Sequence, residues 1–236
     1  MSTDDSISTR AKTLQQRIDD ACTRAGRPCG SVTLLPVSKT FSADDIRSAV
    51  ALGFTRFGEN KTQEIRQKKE ALSDLNIEWV MIGHLQTNKA KDAARDASEV
   101  QSLDRLDLAH ALQRRLHAEG KHLDVLVQIK TSSEPSKHGL PPEEAAMFLR
   151  TLARDCPALR VKGLMTMAEQ SSDPNAVREC FRTLRKLRDA LQEEAIEGIQ
   201  LDRLSMGMSG DFEIAIEEGA TEVRVGSAFF GTRNYN

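Results

Sequence analysis

Val32-Thr33-Leu34-Leu35-Pro36-Val37-Ser38-Lys39-Thr40 is an apolar and β-branched run that ends on a lysine. A short run of this kind reads as a strand buried on both faces, as in a parallel sheet. Ser42-Ala43-Asp44-Asp45 follows at once as a capping-box pattern, and Ile46, Ala49 and Val50 then fall at helical spacing. Lys39 therefore sits where a buried strand gives way to a helix. In α/β folds that edge, the C-terminal end of the strands, is where ligands bind. A partly desolvated amine held there is placed to add to a carbonyl as a Schiff base. For a lysine taken alone, a solvated strand-end residue is the commoner case, so the rest of the chain has to decide.

Reading outward, a helix is expected from about Thr9 to Ala25, with Leu14, Ile18, Ala21 and Cys22 on one face and Gly26 ending it. Phe54–Phe57 reads as a second strand closed by Gly58-Glu59-Asn60, and Glu78–Ile82 as a third closed by Gly83-His84-Leu85-Gln86-Thr87-Asn88-Lys89. Glu99–Leu103 is a fourth strand, after which Asp104 is expected to cap a helix bearing Leu108, Leu112 and Leu116. Asp124–Ile129 is a fifth strand, followed by a polar loop from Lys130 to Leu140 and a helix started by Pro141-Pro142-Glu143-Glu144. Arg160–Met165, Leu201–Met206 and Glu222–Val225 complete the strands. Asp173-Pro174 caps a long helix with Val177, Cys180, Phe181, Leu184, Leu187 and Leu191 on one face. Eight strands alternating with helices predict an α/β fold, a single (β/α)8 TIM-type barrel with an extra N-terminal helix, over an open doubly wound sheet. No linker divides the chain, so residues 1–236 read as one domain, with residues 1–8 a flexible polar start.

The totals narrow the function classes. Among 236 residues, 33 basic and 35 acidic side chains give a net charge of −2, with no basic excess to suggest nucleic acid. Cys22, Cys29, Cys156 and Cys180 form no CxxC pair or metal-ligand spacing, and read as reduced thiols of a cytoplasmic protein. The polar N-terminus lacks the apolar stretch of a signal peptide, and no window approaches a membrane span. A monomer is expected.

Two later stretches carry chemistry. Leu204-Ser205-Met206-Gly207-Met208-Ser209-Gly210-Asp211 sets small residues between a strand and a helix beginning at Phe212. Val223-Arg224-Val225-Gly226-Ser227-Ala228-Phe229-Phe230-Gly231 repeats the design. Small residues let backbone N–H groups approach an anion, and barrel phosphate sites are commonly built from the loops after strands seven and eight. Tight turns with capping serines are the bland alternative. Arg224, in an apolar strand near the barrel mouth, needs a partner: either a barrel-end salt bridge or a ligand acceptor.

Val37-Ser38-Lys39-Thr40, Phe57-Gly58-Glu59-Asn60, Ile82–Lys89, Leu204–Ser209 and Val223–Gly231 together resemble, in order and across nearly the whole chain, the motif set of the pyridoxal phosphate homeostasis proteins. The resemblance implies a barrel similar to the N-terminal domain of alanine racemases. It also implies pyridoxal 5'-phosphate (PLP) held covalently as an aldimine on Lys39, in a cofactor carrier or regulator without established catalysis. Carried over residue by residue, Ser209, Gly226 and Ser227 hold the phosphate and Arg224 faces the pyridine nitrogen. Asn60 and Ser205 line the pocket, and Met208 packs near the ring. No catalytic residue and no metal are expected. Apo PLP-dependent enzymes are the implied partners. The alternative is a PLP-dependent racemase-like enzyme, which needs acid–base groups on both faces of the substrate carbanion. Lys39 supplies one. The racemases take the other, a tyrosine, from a second domain, whereas this chain's one tyrosine is Tyr235. A cofactor-free Schiff-base aldolase is a third reading, which the motifs oppose. His84, Gln86, Asn88 and Lys89 match a family signature without a derivable role. His84 has no second metal ligand visible in the sequence, and Lys137-His138 reads as part of a solvated loop.

Overall fold

The computed structural model describes residues 6–231, except 133 and 135–137. The order is α1 (Ile7–Arg24), β1 (Thr33–Pro36), α2 (Ala43–Val50), β2 (Arg56–Glu59), α3 (Thr62–Ala71), β3 (Glu78–Met81), α4 (Ala90–Asp96), β4 (Glu99–Leu103), α5 (Leu106–Ala118), β5 (Leu123–Gln128), α6 (Ala145–Asp155), β6 (Leu159–Met165), α7 (Pro174–Glu193), β7 (Arg203–Ser205), α8 (Phe212–Glu217), β8 (Glu222–Val225) and α9 (Ser227–Phe230). The eight strands form one parallel sheet in the order β1-β8-β7-β6-β5-β4-β3-β2. Just past the end of β1, a parallel bridge joins Val37 to Gly58 of β2 and the Ser38 N–H donates to the Gly58 carbonyl at 3.0 Å. The sheet thus closes on itself as the barrel that the alternation predicted.

Period-two alternation sorts the strand side chains. Leu34, Trp79, Met81, Val125, Val127, Leu164, Val223 and Val225 belong to the apolar layer between sheet and helices, with Ala49, Ile65, Leu112, Leu149 and Phe181 from the helices. Their buried neighbours Leu35, Val80, Leu126 and Met165 lie outside that layer and fill the barrel interior. Glu99 and Gln101 alternate with outward Val100 in the same way, as Glu222 and Arg224 do with Val223 and Val225.

The N-terminal end of the barrel is closed by ions. Arg56, Glu99, Arg203 and Glu222 are the first residues of β2, β4, β7 and β8. Arg203 donates to Glu99 at 2.6 and 3.1 Å and to Glu222 at 2.8 Å, and Arg56 donates to each acid at 3.0 Å. The Gln101 amide donates to Glu99 at 2.7 Å and to Glu222 at 2.5 Å. Burial pushes the Glu222 carboxyl upward, but the charges of Arg203 and Arg56 hold it below the ordinary carboxylate range.

Several boundaries differ from expectation. Ser6 accepts from the Thr9 N–H as the N-cap of α1, so the first helix starts at Ile7 and residues 7 and 8 belong to it; residues 1–5 lie outside the described set. Strand two runs from Arg56 to Glu59 and not from Phe54 to Phe57, because the ladder with β3 begins at Arg56↔Glu78. Asp104 does not cap α5: Arg105 is the N-cap, and Asp104 accepts from the Arg105 guanidinium at 2.7 Å instead. Helix α4 went unread because it buries alanines, Ala90, Ala93 and Ala94, in place of a periodic stripe of large residues. The Ser42–Asp45 capping box is present with both hydrogen bonds. All four cysteines are unpaired, and only Cys29 is exposed. Among the described residues no helix is long and apolar enough to cross a membrane.

Candidate functional site

At the C-terminal end of the strands a cavity of about 350 Å³ is lined by Val37, Lys39, Asn60, Ile82, Gly83, His84, Met167, Met208, Ser209, Gly210, Arg224, Gly226 and Ser227. Lys39, Asn60, Ser209, Arg224, Gly226 and Ser227 come from four separate stretches of the chain, and the barrel brings all six to one wall or another of this space. Ser205 is the exception among the expected residues. It is fully buried beneath the cavity, where its Oγ receives the Arg224 Nη1 at 2.8 Å and lies 2.8 Å from Gln101 Oε1 and 2.9 Å from Glu222 Oε1. It thus contacts Arg224 and not the cavity.

Among the described residues Arg224 forms no barrel-end salt bridge. It is 3% exposed, and its second nitrogen donates to the Thr166 carbonyl at 2.8 Å. Thr166 is itself tied to the Ile129 carbonyl at 2.8 Å and to the Thr131 hydroxyl at 2.9 Å. Burial pulls the guanidinium down to about 10, with Glu222 and Asp211 opposing the shift, and it stays protonated at neutral pH. The cation is thus hydrogen-bonded by neutral partners, with Glu222 and Asp211 acting on it through their charge, and it lines a cavity.

Two loops face it. In the first, Asp211 accepts from the Met208 N–H at 2.5 Å and its own N–H donates to the Met208 carbonyl at 3.1 Å, which sets Ser209 and Gly210 at the tip of a closed turn. Gly207, at φ +94°, lets that turn pack on α8: an added Cβ would lie 2.6 Å from Ala215 Cβ. In the second, Gly226 and Ser227 lead from β8 into α9. The Phe212 N–H that opens α8 is taken by the Met208 carbonyl at 3.0 Å, whereas the first N–H groups of α9 have no acceptor inside that helix; the first loop brings the Ser209 hydroxyl to the cavity and the second the Ser227 hydroxyl with backbone donors. Burial raises the Asp211 carboxyl above its ordinary range despite the Met208 N–H and Arg224.

Opposite, Gly83 packs on Asn60, where a Cβ would come within 2.3 Å of the Asn60 carbonyl oxygen; this close approach holds the β2 and β3 ends together at the rim. His84 stacks on His138 at a centroid distance of 4.0 Å and an interplanar angle of 19°, and its Nδ1 lies 3.9 Å from Asp104. Desolvation and the neighbouring His138 lower the His84 pKa. The fold therefore gives His84 two ligand-type neighbours that the sequence did not reveal, with the three atoms within 4.8 Å of one another. The two rings lie face to face, so their lone pairs run side by side and do not converge on a point. Lys137 and Tyr235 fall outside the described residues. Gln86 and Lys89 line a separate polar cleft that shares Asn60 and His84 with the cavity.

Sequence reasoning missed Met167 and Thr166, although their place just past β6 is where the C-terminal-edge rule directs attention. It also missed Glu59 and Lys68, since nothing in a charged helix marks one lysine as buried.

The fold and the residues gathered at its mouth define a barrel of the alanine racemase N-terminal-domain type, and the family model of that description matches residues 10–234. An alanine racemase from Clostridium difficile has the same fold, with a TM-score of 0.75 over 95% of this chain and 56% of its own, at 13% identity. The chain belongs to the pyridoxal phosphate homeostasis protein family: it is 44% identical over 227 residues to the member from Aquifex aeolicus, covering 96% of this chain and 98% of that one. The structure of PipY from Synechococcus elongatus with PLP bound superposes with a TM-score of 0.83 at 33% identity, covering 96% of this chain and all of that one. The relatives carry the name of homeostasis proteins and not of enzymes.

Proposed function

We propose that this protein binds PLP as a Schiff base on Lys39 and holds it for intracellular PLP homeostasis, releasing it to apo PLP-dependent enzymes without turning over amino acids. One observation carries the reading: an amine, a buried guanidinium and two donor-rich loops line a single cavity at the C-terminal end of the barrel. Its size is in the range of small-ligand sites. PLP supplies an aldehyde, a phosphate dianion and a pyridine nitrogen, and the cavity has a counterpart for each. The Lys39 nitrogen, as the free base, adds to the aldehyde carbon; a C=N bond replaces C=O, and the oxygen leaves as water. Ser209, Gly226 and Ser227 donate to the phosphate through hydroxyls and backbone N–H groups, in charge-assisted bonds about twice as strong as neutral ones. Arg224 faces the pyridine nitrogen as a donor. An arginine does not give its proton to the ring, so the ring remains a weak electron sink, which suits storage over catalysis.

PLP bound in PipY and the homeostasis names of the relatives support the reading. The experiment has two arms. Titration with PLP and with pyridoxal, its dephosphorylated form, is expected to show much tighter binding of PLP; equal affinities would remove the phosphate cradle. Holo-protein mixed with an apo PLP-enzyme is expected to restore that enzyme's activity, while L- or D-alanine followed by chiral chromatography shows no racemisation above free PLP. Multiple turnovers lost in Lys39→Ala would move the protein to the racemase class.

A further inference from the structure

Lys39 sits at the corner of a tight turn. The Phe41 N–H donates to the Ser38 carbonyl at 3.0 Å, which makes Lys39 and Thr40 the two central residues. Thr40 has φ +68°. That is the left-handed conformation that the second central position of such a turn normally gives to glycine. A β-branched residue stays there only when its surroundings over-determine it.

The surroundings do so through three side chains. Lys68, from α3, donates to the Ser38 carbonyl at 2.7 Å and to Glu59 Oε1 at 2.6 Å. The Ser38 hydroxyl donates to the same Glu59 oxygen at 2.6 Å. The Thr40 N–H donates to Glu64 Oε2 at 3.1 Å, and that oxygen lies 3.6 Å from Lys68 Nζ. The residues on either side of Lys39 are therefore tied to one buried ammonium, directly or through a carboxylate it pairs with. Ser38 and Glu59 are fully buried. The pair is a poor way to gain stability: Glu59 Oε2 has no hydrogen-bond partner among the described residues, and burial pushes the carboxyl up despite Lys68. Two apolar side chains would pack β2 against α3 at least as well. What the ions supply and apolar groups cannot is a fixed hydrogen-bonding point for the turn. None of the three side chains lines the cavity.

We propose that Glu59, Lys68 and Glu64 form a clamp that fixes the Ser38–Phe41 turn and so sets the direction from which the Lys39 amine enters the cavity. They are positioning residues, and the inference rests on the reading of Lys39 as the PLP lysine. The clamp acts on Lys39 alone; the phosphate loops and Arg224 are held by other contacts.

The test uses two ligands. Pyridoxine 5'-phosphate has the ring and the phosphate of PLP but an alcohol in place of the aldehyde, so it reports the cavity without the Lys39 bond. Binding of both is measured in the wild type, in Glu64→Leu, which removes the acceptor of the Thr40 N–H, and in the paired Glu59→Gln/Lys68→Met, which removes both buried charges together and is tolerated better than removal of one. In both variants PLP affinity is expected to fall about tenfold or more, while pyridoxine 5'-phosphate affinity stays within about twofold. If the paired variant fails to fold, Glu64→Leu, at a partly exposed position, decides alone. Loss of both ligands in parallel would overturn the clamp and leave these residues a general structural role. Unchanged PLP affinity would overturn it as well. Wild-type protein that yields no borohydride-trapped adduct on Lys39 would overturn the proposed function, and the clamp with it.

Discussion

The two ends of this barrel treat charge in opposite ways. At the N-terminal end Arg56, Arg203, Glu99 and Glu222 answer one another, with Gln101 filling the remaining gap between the two acids. At the C-terminal end Arg224 is as deeply buried as Glu222, yet it meets a hydroxyl and a carbonyl in place of an acid, and it faces a cavity with Lys39, Ser209 and Ser227. The first arrangement is complete within the protein. The second sets a cation bonded to neutral groups at the edge of an open space, which suits the acceptor-bearing ligand proposed above. Ser205 joins them: it touches Gln101 and Glu222 below and Arg224 above, so the lower network orients the cation that the upper end presents. Burial of charge alone does not mark a functional site; a buried cation that hydrogen-bonds neutral groups beside a space is the better candidate.

The comparison is broken most severely by removing one acid from the closed end. Glu222→Ala leaves two arginines short of a partner and is expected to cost about 3–5 kcal/mol of stability, read from the denaturant midpoint. Ser227→Ala at the open end is expected to change stability by less than about 0.5 kcal/mol while weakening PLP binding. Similar stability losses at the two ends would mean that the open end is structural too.

Acid sharpens the contrast. The Glu222 carboxyl is depressed in the folded state. Its contribution is present above the unfolded value of about 4.3 and is lost as pH falls through the lower folded value. Asp211, raised by burial, has the reverse sign: it favours the fold most in acid, and that contribution is lost as pH rises through its folded value. Glu222→Gln is therefore expected to flatten the acid limb of the stability curve, and Asp211→Asn to steepen it. Thermal unfolding from neutral pH down to about pH 3 reads both, and parallel curves would contradict the assignment.

The smallest effect concerns the strained turn. Thr40→Gly frees a left-handed residue and is expected to raise stability by about 1 kcal/mol. A loss of stability would show that the threonine side chain contributes more than its backbone costs.

Much of this was legible in the sequence, for identifiable reasons. Alternating strands and helices gave the barrel, and β4 and β8 carry the boundaries that their apolar runs indicate. The cavity residues could be named because Lys39 and Arg224 lie at strand ends and Ser209, Gly226 and Ser227 in small-residue loops after strands seven and eight, and because the family motifs give them roles. Strand two differs because Gly58-Glu59 looks like a turn in sequence, whereas Glu59 pairs with Met81 in the ladder to β3 and its buried carboxylate meets Lys68 from the next helix. The His84–His138 stack joins loops 54 positions apart and has no local signal. Ser205 was expected in the pocket wall, but its position in β7 turns it inward beneath Arg224.

The most direct test is borohydride reduction of the PLP-loaded protein followed by peptide mass spectrometry. The account predicts one reduced PLP adduct, on Lys39, absent from a Lys39→Ala protein that keeps its circular dichroism spectrum. An adduct on another lysine, or one that survives in Lys39→Ala at undiminished yield, would contradict it.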